Sequence, residues 1–186
     1  MRTLIVTAFV SLDGVMEAPG GEPGYRNTGW TFKDIKHVDE SYEIKGREQE
    51  EAAAMMIGRV SYEAFSPVWP DLDYFAGYKA MPKYVVSTTL SDPDWNNTTV
   101  LRSLDEVAEL KQGDGATILV HGSATLAQNL AAAGLVDRYH LLVFPVVLGS
   151  GKRLFVDDSA DKTRLELIEH AAYSNGIQLA VYDVKR

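Results

Sequence analysis

Short apolar runs that stop abruptly at glycine or a hydroxyl residue recur along this chain, and helix-forming stretches fall between them. Ala54-Met55-Met56-Ile57 ends at Gly58, Lys83-Tyr84-Val85-Val86 ends at Ser87, and Ala116 to Val120 ends at His121-Gly122. Runs that are apolar throughout, rather than alternating, suit strands covered on both faces. Thr3 to Phe9 is a further β-rich run that turns at Asp13-Gly14, and Thr99-Val100-Leu101 is a short one. Tyr139 to Val143, continued by Phe144 to Leu148, is broken by Pro145. Leu165 to Tyr173 and Ile177 to Val184 flank Asn175-Gly176, a strong hairpin signal. The expectation is a three-layer α/β fold. Its central sheet is mixed but mostly parallel, with about eight strands and a C-terminal antiparallel hairpin.

The helices belong between the strands. Ser103-Leu104-Asp105-Glu106 has the form of a capping box. Ala124 to Ala133 carries Leu126, Ala127, Leu130 and Ala131 at helical spacing, with Gly134 where a helix would end. Asp34 to Ala53 is expected to be mostly helical, with Ile35, Val38 and Tyr42 as its apolar stripe and Gly46 as an interruption. Pro19 to Gly29 reads as a surface loop.

Composition narrows the function classes. The 186 residues include no cysteine, which excludes disulfides, thiolate zinc, iron–sulfur clusters and cysteine nucleophiles. With 18 basic and 26 acidic side chains the net charge is −8, opposed to general nucleic-acid binding. No apolar run approaches the roughly 20 residues of a membrane span. Leu4 to Val10 reads as a strand and turn, not a signal peptide. There is no internal repeat and no linker. One domain over 1–186, cytoplasmic and without nucleic-acid or membrane partners, is the expectation.

Ligands of open α/β sheets bind outside the carboxyl ends of the strands. Helix starts there offer free amides and the positive dipole end to a phosphate. Gly58 and Gly122 let the backbone turn tightly, Ser61, Ser123 and Thr125 add hydroxyls, and Arg59 adds charge. With Ser87-Thr88-Thr89, three such turns in one small sheet point to a nucleotide-like ligand. The dinucleotide fingerprint is absent, because Gly149-Ser150-Gly151 meets Leu154 where a third glycine would stand. His37, His121, His140 and His170 lack ligand spacing, so no metal site is expected and the four read as capping or surface residues.

These segments are familiar in combination. Ser11-Leu12-Asp13-Gly14, Ile57-Gly58-Arg59-Val60-Ser61-Tyr62-Glu63, Lys83 to Leu90, and above all Val120 to Phe155 resemble the dihydrofolate reductase-like superfamily. Within it the chain looks like the reductase domain of bacterial riboflavin biosynthesis and its small stand-alone relatives. The resemblance covers nearly the whole chain. It implies NADPH as cofactor, a homodimer, and hydride transfer to a pterin- or aminopyrimidine-like heterocycle. The reaction would then be like that of 5-amino-6-(5-phosphoribosylamino)uracil reductase or of dihydrofolate reductase. A non-catalytic cofactor-binding or regulatory module on the same fold is the rival reading.

Carried over by position, Gly58, Arg59, Val60 and Ser61 would hold the cofactor diphosphate and neighbouring ribose. Gly122, Ser123, Ala124, Thr125 and Leu126 would cradle the diphosphate from the other side. Ser87, Thr88 and Thr89 would lie near the 2′-phosphate, Thr7 and Ala8 would face the nicotinamide, and Gly14 would begin the loop over it. Asp13 and Asp34 are the candidate acids, with an Asp-Gly turn as the other reading of Asp13, and Trp30, Phe32, Pro145 and Val147 the candidate substrate contacts, with packing at the sheet edge as the other reading of Trp30 and Phe32; Lys152 and Arg153 would meet a substrate phosphate or remain solvated surface charge. Two departures stand out. Gly122-Ser123 replaces the Gly-Gly pair, which is cis in dihydrofolate reductases, and Thr88 stands where an arginine would meet the 2′-phosphate. A zinc deaminase domain, which requires cysteine ligands, has no place here.

Overall fold

The N-terminal apolar run forms β1 (Leu4–Ser11), and it lies at the middle of the sheet rather than at an edge. The computed structural model describes residues 1–156 and 162–186. On one side β1 pairs in parallel with β5 (Ile118–His121), and on the other with β6 (Arg138–Phe144). Beyond β5 follow β2 (Ala54–Gly58), β3 (Lys83–Val86) and β4 (Thr98–Leu101), all parallel. Beyond β6 the direction reverses with β8 (Gln178–Lys185), and β7 (Arg164–Ala172) forms the edge. The order is thus β4-β3-β2-β5-β1-β6-β8-β7, a mixed and mostly parallel sheet of eight strands with a C-terminal antiparallel pair.

Both faces of the central strands are covered, as their unbroken apolar runs require. On one face Leu4, Val6, Ile118, Val120 and Leu141 pack under Val107 of α4 (Leu104–Gln112) and Leu126 and Leu130 of α5 (Ala124–Ala132). On the other face Ile5, Met55, Ile57 and Leu119 meet Tyr62, Tyr78 of α3 (Ala76–Ala80) and Trp95. Towards β8, Leu142, Phe144, Leu179 and Val181 meet Trp30 and Ile44.

The capping residues behave as expected, with one shift. Ser103 Oγ accepts the Glu106 amide at 3.2 Å, but the Glu106 carboxylate reaches back to the amide of Arg102, at 2.9 Å. Gly134 closes α5 at φ +67°, donating to the Ala131 carbonyl at 2.9 Å. Gly176, at φ +84°, turns the final hairpin.

The expected helix over Asp34 to Ala53 is shorter. A single 3₁₀ turn at Asp39–Tyr42 leads into α1 (Glu43–Glu51), and Asp34 to Val38 is not helical. Upstream, Ile35 reaches the core without a helix, and the Lys36 carbonyl accepts from the Asn175 side chain at 3.0 Å rather than from a helical amide. Gly46 does not interrupt α1, because it sits on a side with nothing within 4 Å. Its cost there is the ~1 kcal/mol of backbone entropy, which tertiary packing overrides.

Candidate active site

Two helices begin side by side at the carboxyl ends of adjacent strands. α2 (Arg59–Phe65) starts directly after β2, and α5 starts two residues beyond β5. The Gly58 amide donates to Ser123 Oγ at 2.8 Å, and Ser61 Oγ and Ser123 Oγ lie 2.7 Å apart. A Cβ on Gly58 would stand 2.7 Å from Ser123 Oγ, and one on Gly122 would stand 3.3 Å from Ser61 Oγ. Gly122 at φ +61° and Ser123 at φ +57° make the turn through two successive left-handed residues, with no cis peptide bond among the described residues. That conformation is unusual for serine and marks a strained position held by its surroundings.

The expected cofactor residues divide by what their side chains do. Ala124 and Leu126 are buried, so only their backbone can serve a ligand. Thr125 is exposed. Val60 is 61% exposed at the start of α2, an apolar side chain left uncovered. The Arg59 guanidinium grips Glu63 on its own helix, at 2.6 and 2.9 Å.

At the next strand end, Ser87 Oγ accepts the amides of Thr89 and Leu90 at 3.2 and 3.0 Å, leaving Thr88 and Thr89 exposed. Arg102 comes to this turn from β4, donating from Nη1 to the Ser87 carbonyl at 2.9 Å. It supplies the positive charge that the local sequence around Ser87 lacks. The parallel register Val86↔Leu101 is what puts Ser87 and Arg102 side by side.

Under α1 lies a row of polar side chains that composition and spacing did not single out. Thr7 is in register with His121 on one neighbouring strand and with His140 on the other. Lys45 and Glu48, three apart on α1, close over them. Thr7 Oγ1 donates to Glu48 Oε1 at 2.7 Å and accepts from Lys45 Nζ. His140 Nδ1 donates to Glu48 Oε1 at 2.9 Å, and Lys45 Nζ donates to Glu48 Oε2 at 3.2 Å. Glu48 is 3% exposed. Burial alone would raise its pKa, but the Lys45 ammonium and the bonds from His140 and Thr7 outweigh it and hold it at about 2. His121 and His140 are therefore not capping or surface residues. Both are built into the sheet, and burial together with the Lys45 charge brings His121 down to about 3. The sequence signal was the (i, i+3) pair Lys45 and Glu48 on one helix face, but strand order alone could pair it with the histidines.

The remaining candidates fall at the loop end of the sheet. Asp13 Oδ1 accepts from Ser11 Oγ at 2.7 Å and from the Leu148 amide at 3.1 Å, while Oδ2 accepts from the Gly149 amide at 2.9 Å. Arg153 also donates to the Asp13 carbonyl. The Ser11 hydroxyl, against a smaller burial penalty and with help from the two amides, lowers Asp13 to about 2. Asp13 is thus an ionised acceptor that ties the loop after β1 to the 148–153 segment. Lys152 joins the same seam through its amide, which donates to Glu17 at 2.9 Å. Gly14 sits in this turn at φ +81°.

Trp30 is buried, edge-on to Phe144 with ring centres 5.3 Å apart, and its Nε1 donates to the Glu17 carbonyl at 2.8 Å. It is core packing beneath the loop, with no face free for a heterocycle. Phe32, Asp34, Pro145 and Val147 are exposed, and Ala8 faces the opposite core. The structure does not bring Asp34 together with Asp13 or with the Thr7 row through any hydrogen bond among the described residues. No helix of the described residues is long and apolar enough to cross a membrane.

Comparison with known proteins places this architecture. The chain is 28% identical over 192 residues to the uncharacterised protein YyaP of Bacillus subtilis (strain 168), covering 97% of this chain and 94% of that one. It is 26% identical over 186 residues to YwjB of the same organism, also uncharacterised, covering 96% of each. A solved candidate riboflavin biosynthesis protein from Shewanella sp. PV-4 superposes with a TM-score of 0.74 at 20% identity, over 99% of each chain. A pyrimidine reductase-like protein from Corynebacterium diphtheriae gives 0.61 at 16% identity, over 99% of this chain and 92% of that one. Dihydrofolate reductase from Enterococcus faecalis, complexed with NADP(H), gives 0.59 at 14% identity, over 99% and 97%. At these identities the solved structures share the fold. The RibD C-terminal domain family matches residues 2–179, nearly the whole sheet, and the chain belongs to that family.

Proposed function

We propose that this chain is an NADPH-dependent reductase, acting as one domain over 1–186, that reduces a pterin- or aminopyrimidine-like heterocycle. The reading rests above all on one observation. Two helix starts converge at the ends of β2 and β5, with Arg102 and the exposed Thr88 and Thr89 at the next strand end along. A diphosphate suits the paired helix starts, whose amides and dipoles favour an anion. A 2′-phosphate suits an arginine flanked by two hydroxyls. Gly58 and Gly122 let the two turns come together, since a Cβ at either would crowd a serine hydroxyl of the facing turn.

Bound there, NADPH supplies the hydride. The protein's contribution is orientation and exclusion of water. The loop tied down by Asp13 covers the far end of β1, and the Lys45–Glu48–Thr7–His140 network fixes the floor on the α1 side. In keeping with the family, the working unit is a cytoplasmic homodimer.

No poised acid stands in the candidate site among the described residues, which favours a second reading. Asp13 is ionised and fully engaged, and Asp34 is exposed without a partner among the described residues. A non-catalytic cofactor-binding module would need neither. Titration with NADPH and NADH by tryptophan fluorescence, followed by loss of 340 nm absorbance with oxo- and aminopyrimidines and pterins, separates the two. Binding with turnover supports the reductase. Binding without turnover of any heterocycle supports the module, and no binding refutes both.

A further inference from the structure

The chain carries a net charge of −8, yet one cavity in it is lined by cations. It has a volume of about 480 Å³ and lies where the end of α5, the starts of β6 and β7 and the end of β8 come together. Lys162, Arg164, Lys185 and Arg186 line it, and no carboxylate does among the described residues. Its floor is apolar, with Val136 and Tyr139 buried and Val184 packed against the same core. The register Ile5↔Arg138 sets this cavity toward the amino end of the parallel strands. The helix starts at Gly58 and Ser123 lie at their carboxyl ends, so the cavity is a separate place.

Two features of the cavity are unfinished. Lys185 pairs with Glu166, and Arg186 with Asp137 at 2.8 Å, but Asp137 is shared with Lys111 and the Leu4 amide. Arg164 has no carboxylate partner among the described residues, and the strand register sets it directly opposite Lys185. Like charges opposed across a strand pair destabilise it, and an anion beside them relieves the repulsion. Tyr139 is only 3% exposed, and its hydroxyl has no hydrogen-bond partner among the described residues. A buried phenol ordinarily has one. This hydroxyl is not sealed off like the unpartnered Trp95 Nε1, and the space open to it is the cavity that Tyr139 lines. We propose that this cavity binds a small aromatic anion, whose ring lies on Val136 and Tyr139 and whose charged group meets Arg164 and takes the phenol hydrogen. The volume is that of a site for a small organic molecule. This site stands or falls independently of the reductase reading.

The probe is 1-anilinonaphthalene-8-sulfonate, followed by its fluorescence, with the uncharged N-phenyl-1-naphthylamine as control. The sulfonate is expected to saturate at one per chain and to bind at least about tenfold tighter than the neutral amine, the worth of one charge-assisted hydrogen bond. Benzoate and phenyl phosphate should both displace it, while inorganic phosphate, which has no ring, should not. Arg164→Glu turns the repulsion with Lys185 into an attraction, so the fold is kept, and it should weaken the sulfonate about tenfold or more without changing the neutral amine. Tyr139→Phe keeps the ring and should weaken the sulfonate about threefold to tenfold. Equal binding of the charged and neutral probes overturns the proposal. So does sulfonate binding that is unchanged in Arg164→Glu, displacement of the probe by NADPH or by inorganic phosphate, or the lack of saturable binding in the parent protein.

Discussion

The Gly58 amide and the Ser123 hydroxyl, 65 positions apart, are hydrogen-bonded at 2.8 Å and join the starts of two helices. Ser123 holds a left-handed backbone to make this contact, and Gly58 lacks a side chain to permit it. Gly58→Ala should therefore fail on two counts. The new methyl would meet Ser123 Oγ at 2.7 Å, costing roughly 1–3 kcal/mol of stability, and the forced separation should abolish NADPH binding. Adding Ser123→Gly, which removes the clash and relaxes the left-handed strain, should recover most of the stability. Chemical denaturation of the single and double variants checks this, and a single variant as stable as the parent would refute it.

Arg102 stands beside Ser87 and the exposed Thr88 and Thr89. Arg102→Gln should weaken NADPH about tenfold or more, the scale of a charge-assisted hydrogen bond, and leave NADH nearly unchanged. Paired titrations of the two cofactors measure the difference. Equal losses for both would place Arg102 away from the 2′-phosphate.

Glu48 is held at about 2 in the fold, against 4.5 for an unperturbed carboxyl. A depressed carboxylate stabilises the fold fully above its unfolded pKa, and that stability is lost as pH falls. Acid unfolding should accordingly steepen as pH drops from about 4.5 toward 2. Glu48→Gln should flatten that window and cost ~3–5 kcal/mol at neutral pH, because Lys45 would remain buried without its counter-charge. Denaturation midpoints measured across this range decide the matter, and a variant with the parent's acid profile would contradict it.

Lys83 is buried, with no carboxylate on it among the described residues. Its ammonium donates to the carbonyls of Met81, Lys79 and Asn96, at 2.8, 3.2 and 3.2 Å, and lies over the Trp95 ring. Burial lowers its pKa from 10.5 to about 8. Between those values the unfolded chain holds a proton that the folded chain has released, so stability should rise with pH from about 8 to 10.5, by up to roughly 3 kcal/mol. Lys83→Met should remove that rise. Thermal unfolding followed over this alkaline window provides the check.

The strands, the hairpin at Asn175-Gly176, the caps at Ser103 and Gly134, and the paired turns at Gly58 and Gly122 were all readable one segment at a time. Each depends on local chemistry: apolar runs, turn residues and capping hydroxyls spaced along a few adjacent positions. Trp30 misled because an aromatic in a loop looks the same in sequence whether it faces a ligand or Phe144. Asp13 looked like an acid because a carboxylate's partners, here the Leu148 and Gly149 amides, lie far along the chain.

The order of strands was settled only on folding. It alone aligned His121, Thr7 and His140 across three strands, set Lys45 and Glu48 of α1 above them, and placed Arg102 against Ser87. Periodicity reports which face of an element is apolar, but a polar residue on a buried face declares itself only through partners from other strands. The fold was thus legible from short-range patterns, whereas the charges of the site, which come from side chains distant in sequence, were assigned by the sheet.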